Sequence, residues 1–505
     1  MAKICLCLTA NTLERDMEII EKYRKYADMA ELRVDCLDPD ERFLIRRFPE
    51  MAGLPVILTI RRDIDGGKFS GGEGMRINLL ARGLAFAEAD RRRNFACVDI
   101  EEDLNVPSLE EAARTFGTRI IRSYHNMQGL GEDIPAKIRS MNHAGDELIK
   151  ISVMAQSTAD VLRLLRAGQE CPGLQKILIC MGHYGVFTRI LAECFDSYMS
   201  YAGAPAELGV PVAAAGQLDI QELAELYRFR TITKNTKVYG VVGKPLKATK
   251  SPYFFNTVFG LEDIDAVYIP FPADSISDFM ELARELNLSG LSVTVPFKEA
   301  IIPFLDEASP GVRSIGACNT VCRCPQGWLG TNTDTSGFSD SLLEFIGRTN
   351  LRRQRITVIG AGGAARAVVS EIHRLGGSAL ILNRTIHKAK DLASPYRFAW
   401  GGIDNQGIEM MEKYSDIIIQ TTTAGMEGSE AADPLETYSF SGGEEVMDLV
   451  YQPEVTPFLK RAADAGCRVI NGYDMLIRQA QYQYAQFMGR DFPSQLLSRL
   501  QFNRT

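Results

Sequence analysis

Two lysines and a glycine-rich turn carry the chemistry that this sequence advertises. Lys150 stands in Leu148-Ile-Lys150-Ile-Ser-Val-Met154, where strand alternation turns it inward, and an inward ammonium is expensive unless it is paired or reactive. A buried salt bridge to Glu31 or Asp99 is one reading. The other is that burial among arginines favours the neutral amine, the form that attacks a ketone to give an imine. His125, one of five histidines, ends the run Arg119-Ile-Ile-Arg-Ser-Tyr-His125, a strand end from which a general acid/base reaches a bound substrate. Lys298 and Asp334 form a second pair, because a lysine and a carboxylate beside a carbonyl make a proton relay that complements hydride transfer. The third feature is Arg355-Ile-Thr-Val-Ile-Gly360-Ala-Gly362-Gly363-Ala364-Ala365, an apolar strand entering a G-x-G-x-x-A turn that opens a helix. Backbone N–H groups at Gly360, Gly362, Gly363 and Ala364 would meet a pyrophosphate at the positive end of that helix. The strand after it ends in Asn383-Arg384-Thr385, with Lys388 beyond. No acid is present there for a ribose 2′-hydroxyl, and the positive charge suits a 2′-phosphate, so NADP(H) is expected over NAD.

These groups need a scaffold that brings them together. Short apolar or β-branched runs begin near residues 3, 30, 55, 95, 119, 147, 176 and 211, and segments of helical period separate most of them. Eight strand–helix units in this span predict a (β/α)₈ TIM barrel, with an open α/β sheet as the alternative. On that reading the polar residues Glu31, Arg33, Asp35, Arg61, Asp99, Glu101, His125 and Lys150, with Arg189 in the loop after the seventh strand and Gln217 closing the eighth, converge on the C-terminal face. The polar stretch 230–237 ends this part. We expect a barrel over residues 1–230, a substrate-binding lobe over 237–346 plus 474–505, and a Rossmann-type NADP-binding lobe over 347–473.

Length and composition fit that plan. The chain has 505 residues, 46% hydrophobic and 24% charged, enough for several packed cores. A net charge of −8 has the wrong sign for gripping a phosphate backbone, so no nucleic-acid partner is expected. Eleven cysteines are too dilute for a disulfide scaffold. Together with the lack of a long apolar run or a signal-like N-terminus, they suggest a cytoplasmic protein with no membrane partner. Cys318, Cys322 and Cys324 lack a fourth nearby ligand, so no metal is expected.

The strings Glu31-Leu-Arg33-Val-Asp35, Thr59-Ile-Arg61 followed by Gly66-Gly67, Ser123-Tyr-His125, Lys150-Ile-Ser-Val-Met154 and Gly216-Gln217 resemble type I 3-dehydroquinate dehydratase. The resemblance implies that Lys150 forms an imine with the ketone of 3-dehydroquinate. His125 would remove the C2 proton and protonate the departing C1 hydroxyl. Arg189 would hold the carboxylate, with Glu31, Arg33, Arg61 and Gln217 binding hydroxyls or ordering the pocket. Asp65 replaces the usual glutamate that orients the histidine, and Ala213-Ala-Ala215 replaces a serine–alanine–proline run.

The second half resembles shikimate dehydrogenase through Gly290-Leu-Ser292-Val-Thr294-Val-Pro296-Phe-Lys298, Gly316-Ala-Cys-Asn319-Thr320, Asn332-Thr-Asp334, Asp448-Leu-Val-Tyr451-Gln-Pro453, Gly472 and Met475-Leu-Ile-Arg-Gln479. This implies proton transfer by Lys298 and Asp334 during reduction of 3-dehydroshikimate by NADPH. Thr249 and Ser251 would bind the carboxylate, Thr294, Asn319, Tyr451 and Gln479 would surround the ring, and Gly472 would lie near the nicotinamide. Departures are Ala248-Thr249 for histidine–serine, Ser292 for asparagine and Gln420 for asparagine. The implied function is bifunctional, two consecutive steps of the shikimate pathway. The alternatives are a catalytically silent metabolite sensor on the same folds, or quinate dehydrogenase activity in the C-terminal half.

Overall fold

The computed structural model describes residues 1–85, 88–244, 246, 249–429 and 432–500. Eight parallel strands come first: β1 (Lys3–Leu8), β2 (Met29–Arg33), β3 (Val56–Thr59), β4 (Cys97–Glu101), β5 (Arg119–Asn126), β6 (Leu148–Met154), β7 (Lys176–Met181) and β8 (Met199–Ala202). Their order is β7-β6-β5-β4-β3-β2-β1-β8. A Lys176–Ser197 bridge and a 2.7 Å hydrogen bond from Tyr198 N to Lys176 O bring β7 to the start of β8, which makes a (β/α)₈ barrel.

Period-two alternation explains why this barrel is apolar below and charged above. Met29, Ile57, Cys97, Ile121 and Leu148 share one buried cluster in its interior. Two residues further along the same strands, the same face carries Glu31, Thr59, Asp99, Ser123 and Lys150. Helices form where expected: Thr158–Gln169 begins at Ser157, whose side chain accepts from Asp160 N, a serine N-cap.

The eighth strand is a correction. It is Met199–Ala202 and not the run near residue 211. Residues 211–217 form a loop, because Pro211 lacks an N–H donor and Ala213-Ala-Ala-Gly216 has little to pack on a pleated surface. Gln217 therefore lies in the loop after β8 and does not end the strand. Arg189 likewise sits on a short helix, Val186–Ile190, and not in an open loop.

The chain divides into two compact units, Met1–Val238 with Asn256–Asn287, and Tyr239–Phe255 with Leu288–Thr505. After β9 (Lys237–Gly243), the first unit regains β10 (Ala266–Pro272) and the helix Ile276–Glu285. That segment is bonded to the barrel. Thr158 donates from N and Oγ1 to Asp274 Oδ1 at 2.9 and 2.8 Å, and Arg166 reaches Glu281 at 2.6 Å and Glu285 at 3.0 Å. Phe271 meets Phe187 edge-on with centroids 4.8 Å apart, and both rings are buried.

In the second unit β9, β11 (Gly290–Val293), β13 (Thr320–Cys324), β14 (Gly327–Thr331) and β12 (Glu307–Ala308) lie side by side in that order. Strands β15 (Arg355–Ile359), β16 (Ser378–Leu382), β17 (Ala399–Gly401), β18 (Ile417–Gln420), β19 (Glu445–Asp448) and β20 (Arg468–Ile470) form a second sheet. Its order is β17-β16-β15-β18-β19-β20, parallel throughout, the doubly wound arrangement whose ligand crevice opens where the strand order reverses, here between β15 and β18. The helix Tyr473–Met488 returns to the first of these sheets: the Phe487 ring lies tilted against Tyr239 with centroids 4.9 Å apart, and a Cβ on Gly290 would meet its ring at 2.8 Å.

Phe187→Ala should lower the unfolding free energy by about 3–5 kcal/mol, the cost of emptying a buried aromatic site, as read by urea denaturation. Arg166→Ala, at the exposed rim of the same contact, should leave the midpoint unchanged; the reverse ranking would mean that the ion pairs and not the rings hold the segment.

Candidate functional site

The inward ammonium of Lys150 is met by carboxylates. Its Nζ lies 2.9 Å from Asp99 Oδ2 and 3.7 Å from Glu31 Oε1, and 4.4 Å from the centre of the Tyr201 ring. The expected ring of arginines is one step removed. Arg61 bonds Asp99 through Nη2 at 2.7 Å and Glu101 through Nη1 at 2.7 Å, while Ser123 Oγ donates to Asp99 Oδ1 at 2.5 Å. Burial raises the Asp99 carboxyl, but Arg61, Lys150, His125 and the Ser123 hydroxyl together hold it well below the usual carboxylate range.

His125 Nδ1 lies 3.1 Å from Arg61 Nη1. Burial, reinforced by Arg61 and Lys150, pushes its pKa well below 6.5, so the ring is neutral near pH 7. Asp65 does not orient it: that carboxylate accepts from Arg62 Nε at 2.6 Å, because the shorter side chain is captured by its own neighbour at i−3. Arg33 is committed to Asp35 through two bonds of 2.9 and 2.7 Å.

Arg189 differs from the other arginines. Only 2% exposed, it has no partner for Nε and Nη2 among the described residues, and burial pushes its pKa down to about 10. A buried guanidinium with idle donors is a receptor for a carboxylate. Gln217 accepts from Ala213 N at 3.1 Å and donates to Cys7 Sγ at 3.0 Å. A cavity of about 550 Å³ brings Glu31, Arg33, Arg61, His125, Lys150, Arg189 and Gln217 together, with Cys7 and Tyr201, which the sequence reading passed over.

The second unit holds a cavity of about 280 Å³ lined by Thr249, Ser251, Thr294, Lys298, Asn319, Asp334, Ala364, Tyr451, Gly472 and Gln479. Lys298 Nζ is 2.5 Å from Asp334 Oδ2. Asn319 Nδ2 donates to Asp334 Oδ1 at 2.7 Å. Lys298 is set by the short helix Phe297–Ala300 after β11, and Asp334 opens the helix Asp334–Ile346 after β14. Gly472 admits no side chain, since a Cβ would stand 2.1 Å from Leu449 O. Ala248 lies outside the described residues. Gln483, Thr421, Thr422 and Thr423 also line this cavity; Gln483 follows Gln479 by four residues on one helix, a spacing that puts both on one face and could have flagged it.

The glycine-rich turn fits a dinucleotide. Gly360 has φ +114° and Gly362 has open space where a Cβ would be, so a diphosphate can approach the backbone at the N-terminus of the helix Gly363–Arg374. One strand over, Asn383 Nδ2 donates to Thr385 O at 3.0 Å. Arg384 and Lys388 are exposed, and Arg384 makes no hydrogen bond or ion pair among the described residues, which leaves its guanidinium available to a 2′-phosphate.

The structure thus holds two separate polar cavities, one with a buried lysine in the barrel and one with a lysine–carboxylate pair. The type I 3-dehydroquinase family matches residues 4–234, the shikimate dehydrogenase substrate binding domain 241–321, and shikimate / quinate 5-dehydrogenase 343–428. A bifunctional 3-dehydroquinate dehydratase/shikimate dehydrogenase of Arabidopsis thaliana is 28% identical over 98% of this chain and 83% of its own. Shikimate dehydrogenase (NADP(+)) of Geobacter metallireducens is 37% identical over 53% of this chain and 96% of its own. Shikimate biosynthesis protein AroDE of Chlamydia pneumoniae is 29% identical over 77% of each. The chain belongs to the shikimate dehydrogenase family, with a type I 3-dehydroquinase domain in the same polypeptide.

The depressed His125 pKa has a measurable sign. Below pH 6.5 the unfolded chain binds a proton that the folded imidazole refuses, so this contribution to stability is present above 6.5 and lost as pH falls. Between pH 6.5 and 5 the native chain should lose up to about 2 kcal/mol more than His125→Gln, at about 1.4 kcal/mol per pH unit; parallel stability curves would place a charged imidazole in the folded state.

Proposed function

We propose that the chain converts 3-dehydroquinate to 3-dehydroshikimate in the barrel and reduces 3-dehydroshikimate to shikimate in the second unit with NADPH. The observation that carries this is that each reactive pair lies in a cavity with its own polar receptors: Lys150 and His125 with the idle donors of Arg189, and Lys298 and Asp334 with Thr249 and Ser251. A silent sensor would have no need of either pair.

In the barrel, Arg189 takes the substrate carboxylate and aims the ring ketone at Lys150. Asp99, kept ionised by Arg61, holds the lysine in place, and Glu31 at 3.7 Å is the carboxylate near enough to accept the proton the ammonium must lose before attack. The amine adds to the carbonyl carbon, water leaves, and the imine acidifies the C2 hydrogen. His125, neutral and therefore able to act as a base, takes that proton and returns it to the departing C1 hydroxyl. Water then hydrolyses the imine and frees Lys150. Arg33, Arg61 and Gln217 border the ring hydroxyls.

In the second unit Thr249 and Ser251 hold the carboxylate, while Thr294, Asn319, Tyr451 and Gln479 enclose the ring. NADPH, when bound, supplies a hydride to the carbonyl carbon. Lys298, held by Asp334, delivers the proton to the carbonyl oxygen. The turn 360–364 receives the diphosphate, Asn383, Arg384, Thr385 and Lys388 receive the adenosine ribose and its 2′-phosphate, and Gly472 leaves room for the nicotinamide. Among the described residues no helix is long and apolar enough to cross a membrane. Eleven free cysteines, seven of them buried, support a reducing compartment such as the cytoplasm.

Borohydride with 3-dehydroquinate should attach substrate covalently at Lys150, and Lys150→Ala should lose dehydration while keeping NADPH oxidation with 3-dehydroshikimate. Lys298→Ala should show the converse. Normal dehydratase turnover in Lys150→Ala would end the imine mechanism. Arg384→Ala should raise KM for NADPH by about tenfold or more, roughly 1.4 kcal/mol or above, and leave KM for NADH unchanged; equal loss with both coenzymes would remove the 2′-phosphate role.

A further inference from the structure

Behind the Lys298–Asp334 pair runs a directed chain of hydrogen bonds that starts on the C-terminal helix. Gln483 is 2% exposed. Its Nε2 donates to Thr320 Oγ1 at 3.1 Å and to Asn319 O at 3.3 Å, and its Oε1 accepts from Ser292 Oγ at 2.8 Å. Thr320 Oγ1, having accepted, passes its single proton to Asn319 Oδ1 at 2.8 Å. Asn319 Oδ1 also accepts from Thr333 N at 2.7 Å. With its oxygen fixed on that side, the amide must turn Nδ2 toward Asp334 Oδ1, where it donates at 2.7 Å. The other carboxylate oxygen is thereby left for Lys298.

The links from Gln483 to Asp334 each have one polarity; beside them Thr320 Oγ1 lies 3.3 Å from Thr333 Oγ1, a longer contact in which either hydroxyl can donate. A hydroxyl has one proton to give, so the direction in which Thr320 points is set by whether its neighbour donates or accepts. Gln483 is the donor that sets it. We propose that Gln483 is a positioning residue for the reduction: its buried amide sets the direction of the Thr320–Asn319 chain, which holds Asp334 with one oxygen facing Lys298. Ser292 fixes which way the amide faces, because its hydroxyl donates to Oε1 and so keeps Nε2 on Thr320. A side chain on β11 and one on the Tyr473–Met488 helix thus do jointly what one longer amide at position 292 could do alone.

This rests on the assignment of Lys298 and Asp334 to proton transfer. Gln483→Glu keeps the shape and replaces the donor with an acceptor, which draws the Thr320 proton away from Asn319. In the full chain, with 3-dehydroshikimate and NADPH, kcat should fall at least tenfold and its pH profile should move. KM for NADPH should stay within about twofold, and the dehydratase rate should be unchanged. Gln483→Ala combined with Ser292→Asn, which returns an amide to the same gap from the other side, should recover most of the lost kcat relative to Gln483→Ala alone. A Gln483→Glu enzyme with parental kcat and pH profile overturns the proposal, as does a double variant no better than the single one. If Gln483→Glu loses its thermal transition, Ser292→Ala decides: kcat must fall at least threefold with KM for NADPH unchanged, and a parental rate overturns the proposal. Lys298→Met run in parallel separates the two levels, since an active Lys298→Met would refute the relay itself and leave the role of Gln483 without an object.

Discussion

Charge on the inner face of a closed strand ring has to be neutralised within that ring, and this condition organises the first unit. Lys150, Asp99, Arg61 and Glu101 come from three different strands or strand ends, and each is 5% exposed or less. Removing one partner from such a set leaves another ion buried without compensation, which costs about 3–5 kcal/mol. The strands are therefore tied in register at their C-terminal ends by the same groups that face the cavity. The network also explains the state of His125. An imidazole between a lysine and an arginine, out of water, cannot hold a second proton, so the surrounding cations keep it available as a base.

The second unit meets a similar demand with neutral groups. Among the described residues only Lys298 and Asp334 are charged at the heart of its cavity, and the polar atoms around them are amides and hydroxyls from β11, β13, the start of the Asp334–Ile346 helix and the C-terminal helix. Neutral donors and acceptors avoid the desolvation cost of further ions, but they must be supplied as complete chains, since a half-satisfied one would waste its buried members. Residues more than 150 positions apart are drawn into one short path in this way.

Much of this was legible from the sequence because both frameworks write their function at strand ends, where polar residues interrupt apolar runs. Lys150, His125, Arg61 and Glu31 stood out for that reason, and all of them line the barrel cavity. The eighth strand did not, because Met199-Ser-Tyr-Ala202 has no β-branched residue and is four long, while the alanine-rich run after Pro211 imitates an apolar strand. The partner of Asp65 was also hidden. A carboxylate three residues from one arginine and four from another has a choice that depends on side-chain length, and only coordinates decide it in favour of Arg62. Gln483 was overlooked since glutamines are common on helix surfaces; its burial is a property of what packs over the helix.

The way the segment 256–287 is held has an implication for anyone shortening the gene. The polar stretch 230–237 looks like the natural place to sever the polypeptide into two enzymes. A cut there would strip the cover from Phe271 and leave Asp274, Glu281 and Glu285 without their cationic and hydroxyl partners. The seam visible in the amino-acid order and the seam visible in the packing are different, and an excised C-terminal fragment would carry an unfinished hydrophobic face into solvent.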